Sequence, residues 1–165
     1  MKTFKNRENL IKCFLYVPGA TEEVNEPIIG ATRLIKMMYI LGKENEVKKK
    51  ISDYYKFYIS KQGLSSAEIL NDIDKLSKEK SVDSSKKIWS EFLLNEKVKL
   101  KSPMYKLTNQ GVKETKNLNL KLDKDDKKIV KEIKKVKKKY NSMPLHQLIG
   151  YIDSMVPEAI PLASP

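Results

Sequence analysis

Thirty-one lysines and two arginines, Arg7 and Arg33, are the main chemical resource of this 165-residue chain. Sixteen of the lysines lie between positions 97 and 140. They face only Glu114, Asp123, Asp125, Asp126 and Glu132, so this stretch carries +11 of a total net charge of +12. Residues 1–96 carry +3 and residues 141–165 carry −2. So uneven a distribution points to an anionic partner for the middle-to-late region. Lysine is a mobile point charge, whereas arginine forks onto guanine edges. A lysine excess therefore favours attraction to a phosphate backbone over reading of bases. A lysine-biased or heat-adapted surface is the competing explanation, and it accounts less well for the cluster.

Residue types that do covalent or acid–base chemistry are scarce. Cys13 is the only cysteine and His146 the only histidine, which excludes a disulfide and leaves no cysteine- or histidine-based zinc set. Ile11, Phe14 and Leu15 around Cys13 predict a buried, inert thiol. The chain has no Gly-rich phosphate loop, no HExxH and no histidine paired with a serine or cysteine. Asp125-Asp126 falls at a helix start, where capping explains it. The expectation is a protein that is not an enzyme and uses no cofactor or metal. No apolar run approaches a membrane span. Arg7, Glu8 and Lys12 interrupt any signal-peptide core, so the expected location is the cytoplasm, without membrane contact.

These side chains need elements to position them. Residues 4–17 have the helical apolar spacing Leu10, Ile11, Phe14, Leu15, Val17, stopped by Pro18-Gly19. An acidic connector follows over 20–29. A second helix starts near Thr32, with Leu34, Ile35, Met38, Tyr39 and Leu41 on its face and Gly42 as a stop. Residues 44–58 read equally as a helix end or an aromatic extended segment, its rings serving core packing. Ser65 or Ser66 caps a third helix, with Ile69, Leu70, Ile73 and Leu76 as its buried stripe. Residues 81–86 read as a polar loop, and 88–94 as helix or strand.

Val98 and Leu100 alternate with Lys97, Lys99 and Lys101, as in a strand. Ser102-Pro103 reads as a tight turn and 104–108 as the returning strand, giving a small basic hairpin. Thr108 can cap a helix over 109–122, whose inward positions are Val112, Leu118 and Leu122. Asp123, Asp125 and Asp126 open a long helix. Ile129, Ile133, Val136 and Tyr140 share one face of it, with lysines over the remainder. After Asn141-Ser142 comes a last short helix with Leu145, Leu148, Ile149, Ile152 and Met155. The tail from Pro157 is expected to be extended.

The fold class implied is mainly α with a small β-hairpin. The layout is a winged helix-turn-helix over 1–122, a C-terminal helical extension over 123–156 and a tail over 157–165. A third helix presented to a groove would offer Ser65, Ser66, Asn71 and Lys75, and the wing would set Lys97, Lys99, Lys101 and Lys106 against phosphates. Glu68, Asp72, Asp74 and Glu79 on the same third helix oppose base reading, since they repel phosphate. The long lysine helix is the other candidate contact, through Lys131, Lys135 and Lys138.

Four segments carry a family resemblance. Pro27-Ile28-Ile29-Gly30-Ala31-Thr32-Arg33-Leu34-Ile35-Lys36-Met37-Met38-Tyr39 is similar to the P-I-x-G-x-T-R-L-x-K-L-x-F signature of an uncharacterised prokaryotic winged-helix family. Gln62-Gly63-Leu64-Ser65 resembles that family's Y-G-P-x-S entry to its next helix, with Leu64 where the family has proline. Tyr105-Lys106-Leu107-Thr108-Asn109-Gln110-Gly111 resembles its Y-x-L-T-x-x-G. Lys138-Lys139-Tyr140-Asn141-Ser142-Met143-Pro144-Leu145 resembles its K-K-Y-N-S-L-P-L. The first motif is more distantly similar to the SocA-like (Panacea) antitoxin domain. The resemblance implies a winged-helix fold and a regulator or partner-binding protein.

The leading expectation is a nucleic-acid-binding transcriptional regulator, with DNA ahead of RNA. An antitoxin-like or defence-system protein-binding adaptor and a ribosome- or RNA-associated factor are the alternatives. A homodimer stays open.

Overall fold

The computed structural model describes residues 3–61, 63–93 and 96–156, with backbone alone for 87–93, 96 and 98–100. It is mainly helical with a small antiparallel sheet. In chain order the elements begin with a 3-10 turn over Thr3–Lys5, helix α1 (Glu8–Tyr16), strand β1 (Ile28–Ile29) and helices α2 (Ala31–Lys43) and α3 (Asn45–Lys50). A two-stranded ribbon of β2 (Tyr58–Ser60) and β3 (Gly63–Ser65) leads to α4 (Ala67–Lys78). Strands β4 (Val82–Asp83), β5 (Lys86–Leu93) and β6 (Glu96–Leu107) follow, then α5 (Asn109–Leu120), α6 (Lys124–Tyr140) and α7 (Leu145–Met155).

Helix α2 is the centre of the fold. Every residue from Arg33 to Leu41 is buried, so this helix is wrapped on all sides by α3, α6, α7, β1 and β3. The apolar face read from the sequence was a subset, because Met37 and Ile40 are buried as well. Gly42 lies within the helix and does not end it. A Cβ there would sit 2.5 Å from the Tyr54 ring, so the glycine makes room for an aromatic packed against the helix. The Tyr54 hydroxyl donates to the Met38 carbonyl, and Tyr39 meets Phe57 edge-on with centroids 5.1 Å apart. The 44–58 segment is thus a short helix followed by extended chain whose aromatics pack inward. The apolar residues of α1 pack toward α4, α5, α6 and β6: Leu10, Ile11, Phe14 and Leu15 are fully buried, each stabilising the fold by about 1.5–3 kcal/mol.

The hairpin is longer than its sequence reading, and its turn lies elsewhere. Strand β6 runs unbroken through Ser102-Pro103, and its partner is β5, with Leu93 opposite Glu96 and Lys86 opposite Pro103. The same register continues into β4, where Asp83 faces Lys106 and Val82 faces Leu107. On its other edge β6 takes β1, pairing Ile28 with Tyr105. Proline is tolerated at 103 for a stereochemical reason. Met104 N donates to Ser85 O, on the β5 side, so residue 103 points its own backbone polar groups toward β1. There its carbonyl accepts from Gly30 N at 2.8 Å, and the absent N–H breaks no bond of the β5–β6 ladder. Residues 82–93, read as a loop followed by an undecided segment, are therefore the first arm of the hairpin.

The strand-to-helix corner at Thr108 is built as the sequence implies. The Thr108 hydroxyl accepts from Gly111 N at 3.0 Å and donates to Lys80 O at 2.6 Å. Helix α5 then packs through its small residues. Gly111 and Thr115 are the buried positions, whereas Val112 and Leu118 are half-buried and Leu120 is 85% exposed. A Cβ at Gly111 would lie 2.0 Å from the Ser81 carbonyl oxygen. On α4, Ser66 is the capping residue and Ile69, Ile73 and Leu76 form the buried stripe, with Leu70 left 38% exposed. Helix α6 opens with a full capping box, Asp123 and Asp126 each accepting the other's backbone N–H. Its Ile129, Ile133, Val136 and Tyr140 are buried against α1, α2 and α3. The expected tail at 157–165 lies outside the described residues.

Two substitutions test this corner. Thr108→Ala should destabilise the protein by about 1–2 kcal/mol in urea unfolding, the usual cost of a lost cap. Gly111→Ala should cost more, although alanine is the better helix former, because α5 must move off Ser81. A Gly111→Ala variant as stable as the parent would show that the contact is slack.

Candidate nucleic-acid interface

Helix α4 is held down by ion pairs and hydrogen bonds. Lys75 Nζ pairs with Glu8 at 2.7 Å. Glu68 takes Arg7 Nη1 at 2.8 Å and Lys56 N at 2.7 Å. Burial alone would raise the Glu68 carboxyl, but these two donors hold it below its usual range. Asp72 accepts from Tyr55 Oη at 2.6 Å, and Arg7 lies 4.8 Å over the Tyr55 ring. Ser66 is fully buried and spends its hydroxyl on Ile69 N. Ser65 is half-buried in β3, and Asn71 is exposed. Of the third-helix candidates, Asn71 and Lys75 are exposed, Lys75 already paired with Glu8, among acids at 68, 72, 74 and 79.

The hairpin carries the opposite charge. Lys86, Lys97 and Lys101 are exposed. Since Lys86 faces Pro103 and positions 97, 101 and 103 share strand parity, these three lysines stand on one face of the ribbon. Lys106 is half-buried opposite Asp83, near the base. The Lys99 side chain lies outside the described residues. The ribbon from Lys86 to Leu93 is about 25 Å long at 3.4 Å per residue, and β6 is the main neighbour of β5 throughout.

The lysines of α6 do not form a uniform coat. Lys137 is fully buried, its Nζ donating to Leu15 O at 2.8 Å. Burial pushes its ammonium down to about 7, offset in part by Glu26. Lys131 and Lys138 are exposed, and Lys135 reaches Glu132 at 3.4 Å. Cys13 is buried as expected, its thiol pushed up to about 12 by burial. Among the described residues no group of three or more histidine, cysteine or carboxylate side chains could hold a metal, and no helix is long and apolar enough to cross a membrane.

No family model, curated protein or solved structure matches this chain. The geometry separates the candidates into three surfaces: an acidic α4, a basic ribbon and a lysine ridge on α6. Sequence reasoning had joined α4 and the ribbon into one interface. It missed the pairing of Lys75 with Glu8, a contact between helices far apart in the chain.

Lys137 provides a pH test. Between about pH 7 and the ordinary lysine value of 10.5, the unfolded chain holds a proton that the folded chain does not. Stability due to this group must therefore rise with pH across that window. From pH 7 to 9.5 the parent should gain on the order of 2 kcal/mol over Lys137→Met in urea unfolding. Parallel pH profiles would refute the buried, depressed lysine.

Proposed function

We propose that the chain is a nucleic-acid-binding winged-helix protein that docks on phosphate through its projecting hairpin. The single observation that carries this reading is the face shared by Lys86, Lys97 and Lys101 on a long two-stranded ribbon. The element order supports it. Helix α1, strand β1, helices α2 and α4 and the β4–β5/β6 hairpin follow in winged-helix sequence, with β1 and the hairpin's first arm on opposite edges of β6. The fold departs from a compact helix-turn-helix, because α3 and the β2–β3 ribbon separate α2 from α4.

The charge pattern narrows the mode of binding. An acidic α4 with its cations already paired is a poor reader of bases. Phosphate contact positions a protein without carrying sequence information, so binding through the ribbon is electrostatic and weakly sequence-dependent. Duplex DNA suits the ribbon better than duplex RNA, since the B-form major groove admits a two-stranded β-ribbon while the deep, narrow A-form groove does not. We extend the proposal to a regulatory role on DNA, which is what the family resemblance implies.

A second reading rests on α4. Exposed Leu70, flanked by Asn71 and Asp74, suits a basic partner protein, in keeping with an adaptor.

The test is one titration of a short DNA duplex by fluorescence anisotropy. Affinity should fall steeply from about 50 to 200 mM salt through counterion release. Changing Lys86, Lys97 and Lys101 together to Glu should abolish binding at the higher salt. Reversal of Lys131, Lys135 and Lys138 should cost far less. A flat salt response, or equal small losses in both triple variants, would favour the partner-protein reading.

A further inference from the structure

A trough runs beside α6 that the hairpin reading does not use. Its floor is apolar: Val17, Pro18 and Val24 come from the connector after α1, Leu122 from the turn between α5 and α6, and Val130 from α6. It comprises two adjoining cavities of about 490 and 450 Å³, which share Pro18, Lys131 and Lys134. The α6 wall carries Lys127, Lys131, Lys134, Lys135 and Lys138. Their spacing of four, three, one and three residues keeps them on one ridge, about 16 Å long at 1.5 Å per residue. Only Lys135 of the five has an acidic partner among the described residues, Glu132 at 3.4 Å. Among the described residues Glu22 is the single carboxylate lining the trough. Val24 lies in it at 54% exposure, an apolar side chain that folding leaves uncovered.

We propose that this trough binds an acidic amphipathic helix of a partner protein. Two complementary features select that occupant. An apolar floor beside a ridge of about 16 Å suits the i, i+3, i+4, i+7 stripe of about three helical turns, and the lysines of the ridge suit Asp and Glu beside that stripe. A nucleic-acid backbone satisfies the lysines but leaves the floor wet, because it offers no apolar side chains. A flat anionic membrane meets the ridge and cannot fill the concavity. A second copy of this chain, at +12, brings like charge to the ridge. The site is separate from the hairpin, so failure of either reading leaves the other standing.

The experiment uses the full chain and a designed probe, a labelled helix of about 14 residues with leucines on one face and glutamates beside them. A scrambled peptide of identical composition is the control. The amphipathic probe should bind at least about tenfold more tightly than the scramble. Val24→Asp, at an exposed position, should weaken it by about tenfold or more, as should Lys131→Glu with Lys134→Glu. The hairpin triple reversal should leave it unchanged. Circular dichroism checks that each variant is folded. Equal affinity for the scrambled peptide would overturn the proposal, since charge alone would then explain binding. So would a Val24→Asp variant that binds the probe normally. Loss of DNA binding in the Lys131/Lys134 variant would assign the ridge to nucleic acid. Co-sedimentation with vesicles containing phosphatidylglycerol, or self-association abolished by Val24→Asp, would assign it to a membrane or a second copy. Each of these also overturns it.

Discussion

The fold depends on how the C-terminal end of α6 is satisfied inside the protein. A helix ends with carbonyl groups that have no partner within it, and here that end lies against α2. Arg33, buried on α2, answers it: Nη1 donates to Tyr140 O at 3.0 Å and to Met143 O at 2.6 Å. The cation also suits the negative end of the helix dipole. Asn141, one residue on, donates to Glu26 at 2.6 Å and to Pro27 O at 3.1 Å. Lys137, one turn earlier, donates to Leu15 O. Side chains from α2 and α6, the helix–helix turn and the acidic connector thus close one polar cluster, and it sets α6 against α1 and α2.

That cluster explains why the connector has its shape. Glu26 is buried and accepts from Thr21 N and Oγ1 at 2.8 and 2.6 Å, as well as from Asn141. Burial alone would raise its carboxyl, and these donors bring it below its usual range. Asn25 in turn clamps Leu107, donating to its carbonyl at 3.0 Å and accepting from its N–H at 2.8 Å. The base of β6 is therefore tied to the same connector. A buried polar network of this kind stabilises only when its members find partners. The same connector thus touches the hairpin base through Asn25 and lines the α6 trough with Val24.

The surfaces themselves show how charge and burial decide use. Lysines 131, 134 and 138 are exposed on α6, while Lys137 on the same helix is fully buried. One helical step separates a lysine that can meet a ligand from one that holds α1. On α4, Arg7 and Lys78 pair with Glu68 and Asp74 and the Tyr55 hydroxyl donates to Asp72, while Lys75 is taken up by Glu8, so the helix keeps an excess of negative charge.

Local signals were legible because they act over a few residues. The helical apolar spacing of α1, α2 and α6, the Thr108 cap, the acidic opening of α6 and the inert Cys13 follow from neighbours in the chain, and each is found where expected. The basic strand around residue 100 was legible for the same reason. Its partner was not. A proline in a strand reads as a turn until the neighbouring ladder shows which edge its nitrogen faces, and that depends on β1, some seventy residues away. Burial of Lys137, the pairing of Lys75 with Glu8 and the partners of Arg33 were likewise invisible, because each joins positions distant in sequence. The amino-acid order alone determined the six longer helices and where positive charge concentrates, but not the short α3 or the strand β5. The tertiary structure decided which charges remain available, since only packing brings a cation to its distant carbonyl or carboxylate.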